Sequence, residues 1–63
     1  MQNIVSTMVP STKTEFKLVK EDSEYAVRVY QAGVELQARA YFTDSIQDAL
    51  QTMVAMIAEE LSI

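Results

Sequence analysis

The sequence predicts an α+β domain: a three-stranded antiparallel meander, with a candidate fourth strand at the N-terminus, packed against one C-terminal helix. Three observations carry that prediction. From Thr14 to Phe42 apolar and polar residues alternate with the two-residue period of a half-buried strand. Two short breaks, "EDSE" and the stretch around Gly33, cut this region into strand-length pieces. At "FTDSIQ", Phe42 to Gln47, the period changes to about 3.6 and holds to Leu61.

Residues 1 to 12 stand apart, because Pro10, the only proline, separates them from the rest together with Ser11. Their segment "NIVSTMV" is rich in β-branched residues, which suits a fourth strand, an arm that pairs with another copy, or a disordered tail. The meander spans residues 14 to 42. In its first strand, from Thr14 to Glu21, Phe16 and Leu18 alternate with Lys17 and Val19; the second runs from about Glu24 to Gln31. Gly33, the only glycine, marks the next turn, where a positive φ costs least. The third strand is expected from about Val34 to Phe42.

The helix segment covers residues 44 to 61. Asp44 fits an N-cap, Gln47 completes a capping box three residues later, and Asp48 puts negative charge in the first turn, where the helix dipole favours it. The inner stripe is Ile46, Ala49, Leu50, Met53, Val54, Ile57 and Leu61. Met56 and Ala58 widen the apolar arc on its flanks, which makes Met56 a candidate contact for a homodimer or a partner groove.

Composition bounds the chemistry. Sixty-three residues make one small domain, which buries only about 60% of the surface its unfolded chain exposes. There is no cysteine and no histidine, so disulfides, thiol catalysis, zinc-thiolate sites and the commonest general base are excluded. A single glycine cannot build a phosphate-cradling loop. The pairs Asp44/Asp48 and Glu59/Glu60 are better explained by capping and solvation than by a metal. No enzyme, metal or cofactor is expected. No apolar run approaches the length of a bilayer span and no basic segment precedes an apolar one, so a soluble cytoplasmic protein without membrane contact is expected. The formal charge is -4, and every basic residue precedes the last third. Bulk electrostatic attraction to nucleic acid is therefore disfavoured.

Turn parity assigns the outer face of the sheet. If Val29 and Leu36 both face the core, the second turn holds an even number of residues, and the rows become Glu15, Tyr30, Glu35; Lys17, Arg28, Gln37; Val19, Ala26, Arg39; and Glu21, Glu24, Tyr41. Within this face Lys17, Val19, Arg28, Tyr30, Gln37, Arg39 and Tyr41 are the candidate partner-binding residues, since Arg and Tyr are enriched at interface hot spots. The plainer alternative is a solvated face, with Glu15 and Glu35 shielding the cations. A second candidate surface is the acidic helix, through Asp44, Asp48, Glu59 and Glu60.

The run "YAVRVYQAGVELQARAYFTDSIQDALQTM" resembles the sheet-plus-helix DNA-binding domains of phage integrase arm-binding type and plant ethylene-response type. That resemblance covers about residues 15 to 61 and implies base or phosphate contacts from Lys17, Arg28, Gln37 and Arg39 in the major groove. The strand-then-helix order is also similar to part of a double-stranded-RNA-binding domain. In size, acidity and lack of catalytic groups the chain resembles small phage or mobile-element inhibitors, including anti-CRISPR proteins. The expected function is thus a small non-enzymatic protein-interaction module, an accessory or inhibitory regulator that binds a larger protein. Sheet-mediated DNA binding is the alternative.

Overall fold

The structure, a computed structural model, describes residues 2–62. An antiparallel sheet is built from β1 (Gln2–Val9), β2 (Thr14–Glu21), β3 (Glu24–Gln31), β4 (Val34–Glu35) and β5 (Tyr41–Thr43), followed by helix α1 (Ile46–Leu61). Strand order is β1-β2-β3, and both β4 and β5 pair with the far side of β3. The α+β class read from the sequence is the fold observed. No helix among the described residues is long and apolar enough to cross a membrane.

The two inner hairpins obey the parity argument. Glu21 pairs with Glu24 across Asp22-Ser23, which aligns Leu18 with Val27 inside and Lys17 with Arg28 outside. Gln31 pairs with Val34, leaving Ala32-Gly33 as a two-residue turn. Ala32 has φ 52° and Gly33 has φ 84°, the double left-handed signature of a type I′ hairpin, whose twist matches that of the strands. A Cβ on residue 33 would meet nothing within 4 Å, so glycine is needed there for its backbone freedom. Ala32 carries the unrelieved strain of this turn. Ala32→Gly is therefore expected to stabilise the domain by about 1 kcal/mol. The check is a higher urea midpoint at unchanged slope.

The third strand departs from expectation. It is not continuous from Val34 to Phe42: Gln37–Arg39 form a 3₁₀ turn, closed by Arg39 N–H to Leu36 C=O at 3.0 Å and Ala40 N–H to Gln37 C=O at 3.2 Å. Gln, Ala and Arg favour helical over extended backbone, so this stretch leaves the sheet. The pairing resumes with Val27 opposite Tyr41 and Ala26 opposite Phe42. Leu36 still bonds Val29, so the turn breaks the alternation, and both Leu36 and Tyr41 point inward. Phe42, which unbroken alternation with an outward Tyr41 would place in the core, lies on the outer face, and Tyr41, expected outside, lies inside.

Residues 2–9 form an edge strand on β2. Its register shifts between Asn3 and Val5, so Ile4 is the extra residue of a bulge. The core comprises Val9, Phe16, Leu18, Val27, Val29, Ala49 and Met53, with Tyr25, Leu36, Tyr41, Met56 and Ile57 packed around it. The helix N-cap is Ser45 rather than Asp44, its Oγ accepting the Asp48 N–H at 3.3 Å. Serine fits because Thr43 Oγ1 accepts the Ser45 N–H at 3.2 Å and fixes the entry of the chain. The buried line of α1 is Ala49, Met53 and Glu60. Four of the seven residues of the expected inner stripe, Ile46, Leu50, Val54 and Leu61, remain exposed because the helix rolls toward β5. The Asp48 side chain, held by Tyr41, marks that roll.

Candidate functional site

The outer face of the sheet is organised by one cation. Arg28 stands opposite Lys17, a pairing that would cost free energy were both charges left facing each other. Two sets of partners separate them. The Arg28 guanidinium runs along β3 past Ala26 to Glu21, donating Nε to Oε2 at 2.6 Å and Nη2 to Oε1 at 2.9 Å. Its Nη1 donates to Glu35 Oε2 at 2.7 Å. The bidentate fork on Glu21 is the strong geometry for this pair, and all three side chains are only 22–27% exposed. Lys17 turns the other way, its Nζ lying 5.1 Å from the centre of the Tyr30 ring.

Phe42 completes the arrangement. It enters the face opposite Ala26, and its ring centre lies 5.4 Å from the Arg28 Cζ. Val19, a candidate partner-binding residue, and its row neighbour Ala26 are 3% and 0% exposed, so neither offers a contact surface. The extended arginine and the Phe42 ring lie over this part of the sheet, which accounts for that burial.

Electrostatics follow from the pairing. The hydrogen bonds from Arg28 hold the Glu21 carboxyl below its ordinary value. Those to Glu21 and then Glu35 push the guanidinium well above its own. Beside this group an open depression of about 480 Å³ is lined by Glu21, Asp22, Arg28, Tyr30 and Glu35. Its acids outnumber its cation, and neither Glu35 Oε1 nor the Asp22 carboxylate has a hydrogen-bond partner among the described residues. Three of the five guanidinium N–H groups are already engaged.

The other candidate residues lie elsewhere. Gln37 and Arg39 sit in the 3₁₀ turn at the end of the sheet, and Arg39 Nη1 lies 3.7 Å from Glu60 Oε1. Tyr41 donates its hydroxyl proton to Asp48 Oδ2 at 2.6 Å on the inner side, and this bond raises the phenol above its ordinary value. The acidic helix set divides. Asp44 and Glu59 are exposed, Asp48 is engaged with Tyr41, and Glu60 is 5% exposed. Glu60 accepts from Thr14 Oγ1 at 2.9 Å, with Thr12 Oγ1 2.9 Å from Thr14 Oγ1. The hydroxyls of Thr12 and Thr14 hold its carboxyl below the ordinary value, and Arg39 adds to this. Met56 packs against the core.

Sequence reasoning missed Glu21, Asp22 and Phe42 as parts of the cluster. Glu21 was accessible in principle, since it lies on the same face as Arg28 and an extended arginine spans two rows. Phe42 was not, because its side depends on the 3₁₀ turn. Among the described residues no group of three or more acidic, His or Cys side chains is placed to hold a metal ion. No protein-family model, curated protein or solved structure matches this chain.

Proposed function

We propose that this chain is a small non-enzymatic protein-interaction module, an accessory or inhibitory regulator that works by occupying a site on a larger protein. Its contact surface is the outer sheet face around Arg28. The observation that carries this reading is the acidic depression beside a locked Arg28–Phe42 pair. Its aromatic wall, Tyr30, and the Glu35 carboxylate are held on strands, and Asp22 on the tight two-residue turn between β2 and β3; among the described residues Glu35 Oε1 and the Asp22 carboxylate have no hydrogen-bond partner. Preorganised groups lose little entropy on binding, which favours recognition. The chemistry suits a basic segment of the partner, with a Lys or Arg side chain entering the depression. The proposed setting is cytoplasmic, where a cysteine-free chain has nothing to lose to reducing conditions.

DNA binding through the same face would need Arg28 free for phosphates or bases. Its engagement with two glutamates weighs against that reading.

A tagged pull-down from host lysate, split into nuclease-treated and untreated halves, tests the proposal. A discrete protein retained after nuclease is expected, with binding weakened about tenfold or more by Glu35→Lys, since like charge at a docking site is costly. Nucleic acid recovered only in the untreated half, and lost with Arg28→Glu, would overturn the proposal in favour of DNA binding.

A further inference from the structure

We infer that two copies of this chain associate through β1, antiparallel across a two-fold axis, to continue the sheet from one protomer into the other. This inference is independent of the outer-face reading. It rests on a contrast between the two edges of the sheet. The far edge is blunted: β4 has 2 residues, β5 has 3, and the 3₁₀ turn interrupts them. The β1 edge has 8 residues, "QNIVSTMV", with no charge and no proline, and its one protective device is the bulge at Ile4. Long uncharged edges are what isolated proteins avoid leaving open.

Self-pairing fits this strand for a specific reason. A two-fold axis sets residues near the centre of the strand against their own copies, so any charge there would meet itself. β1 holds none.

The helix adds the second observation. At 100° per residue, Ile46, Leu50, Val54 and Leu61 lie on one flank of α1. They are 41%, 43%, 64% and 65% exposed. The opposite flank carries Asp48, which bonds Tyr41 on β5. The apolar flank therefore faces the β1 side of the sheet. There Val5, paired with the inward Leu18, is itself 43% exposed. A two-fold axis perpendicular to the sheet keeps the inner faces on one side, so both helices turn their apolar flanks toward the shared seam. The seam therefore combines the main-chain hydrogen bonds of an 8-residue edge with exposed apolar side chains from both copies.

Sedimentation equilibrium of the full chain, from about 10 μM to about 1 mM, reads the association directly. The expected result is a reversible monomer–dimer equilibrium that tightens with added salt, because each chain carries a formal charge of -4. Val5→Lys and Val54→Lys are expected to weaken it at least tenfold. Val34→Lys, on the blunted edge, should leave it unchanged. Hydrogen exchange of the wild-type chain provides a readout that needs no variant: protection should rise with concentration in β1 and not in β4. A single-chain mass at every concentration overturns the inference, even if some other protein covers this face. So does a dimer that Val34→Lys disrupts as strongly as Val5→Lys, or concentration-dependent protection without a β1 component.

Discussion

Phe16→Ala is expected to abolish the folded state at room temperature. Phe16 is 0% exposed, the largest of the fully buried side chains, and sits on the central β2 between Thr7 of β1 and Val29 of β3. Truncating a buried phenylalanine costs about 3–5 kcal/mol, part of it for the cavity that remains. A chain of 63 residues is expected to have only roughly 3–9 kcal/mol of net stability. A domain this small, which buries a low fraction of its surface, sits toward the lower end of that range, where the single substitution takes most or all of it. Loss of the cooperative thermal transition in circular dichroism is the expected observation. Phe16→Leu, which keeps most of the volume, should retain a transition shifted by about 1–1.5 kcal/mol. A well-folded Phe16→Ala variant would show that the core closes around the missing ring, and that stability resides elsewhere.

The second large effect is expected at Glu60, the one charged side chain that is buried among the described residues. Glu60→Lys places an ammonium where Thr14 Oγ1 now donates and where Arg39 already contributes positive charge. A buried cation with only neutral hydroxyls to accept from it, and with Arg39 beside it in place of a counter-charge, is strongly disfavoured, and the expected result is loss of the helix–sheet packing at neutral pH. Glu60→Gln should fold, because the amide oxygen can still accept from Thr14. It separates charge from hydrogen bonding through pH. The Glu60 carboxyl titrates below its ordinary value near 4.5 in the folded protein. Its contribution is therefore complete above that value and is lost as pH falls through the lower folded one. Glu21, held down by Arg28, has the same sign. Wild-type stability should decline below about pH 4.5, and Glu60→Gln should decline less steeply over the same window. Equal acid slopes for the two proteins would remove Glu60 from this account.

Much of the scaffold was legible because turn parity is a strong constraint. Once Leu18 and Val27, or Val29 and Leu36, share a face, only even turns remain, and both hairpins in the structure have two-residue turns. The β2–β3 register and the outward Lys17–Arg28 opposition followed directly. The third strand failed where its side chains carried little information. Ala38 and Ala40 fit either face, and the helical preference of Gln37 and Arg39 is too weak over so few residues to stand out against an alternating pattern. Alternation through "VELQARAYF" thus continued on paper where the chain in fact turns. That one turn moved Tyr41 inward, moved Phe42 outward, and took Gln37 and Arg39 out of the candidate surface.

The helix misreading has a related cause. The apolar arc of α1 is wider than one sheet can cover, and periodicity alone does not say which part of it faces the sheet. Tyr41–Asp48 at one end and Thr14–Glu60 at the other settle the rotation. Both are contacts between residues whose polarity, read in sequence, argued for solvent.

The asymmetry between the two edges also decides what kind of assembly strand pairing can produce. Amyloid-like growth requires each added molecule to present a fresh open edge for the next one. In the proposed dimer the molecule that docks on β1 would use its own β1 in doing so, and what it would leave outermost is the side of β3 that is capped by short strands and interrupted by the Gln37–Arg39 turn. Addition therefore stops after one step. In that arrangement the 3₁₀ turn would act as a chain terminator for polymerisation, so an uncharged, β-branched edge strand would pair once without seeding filaments.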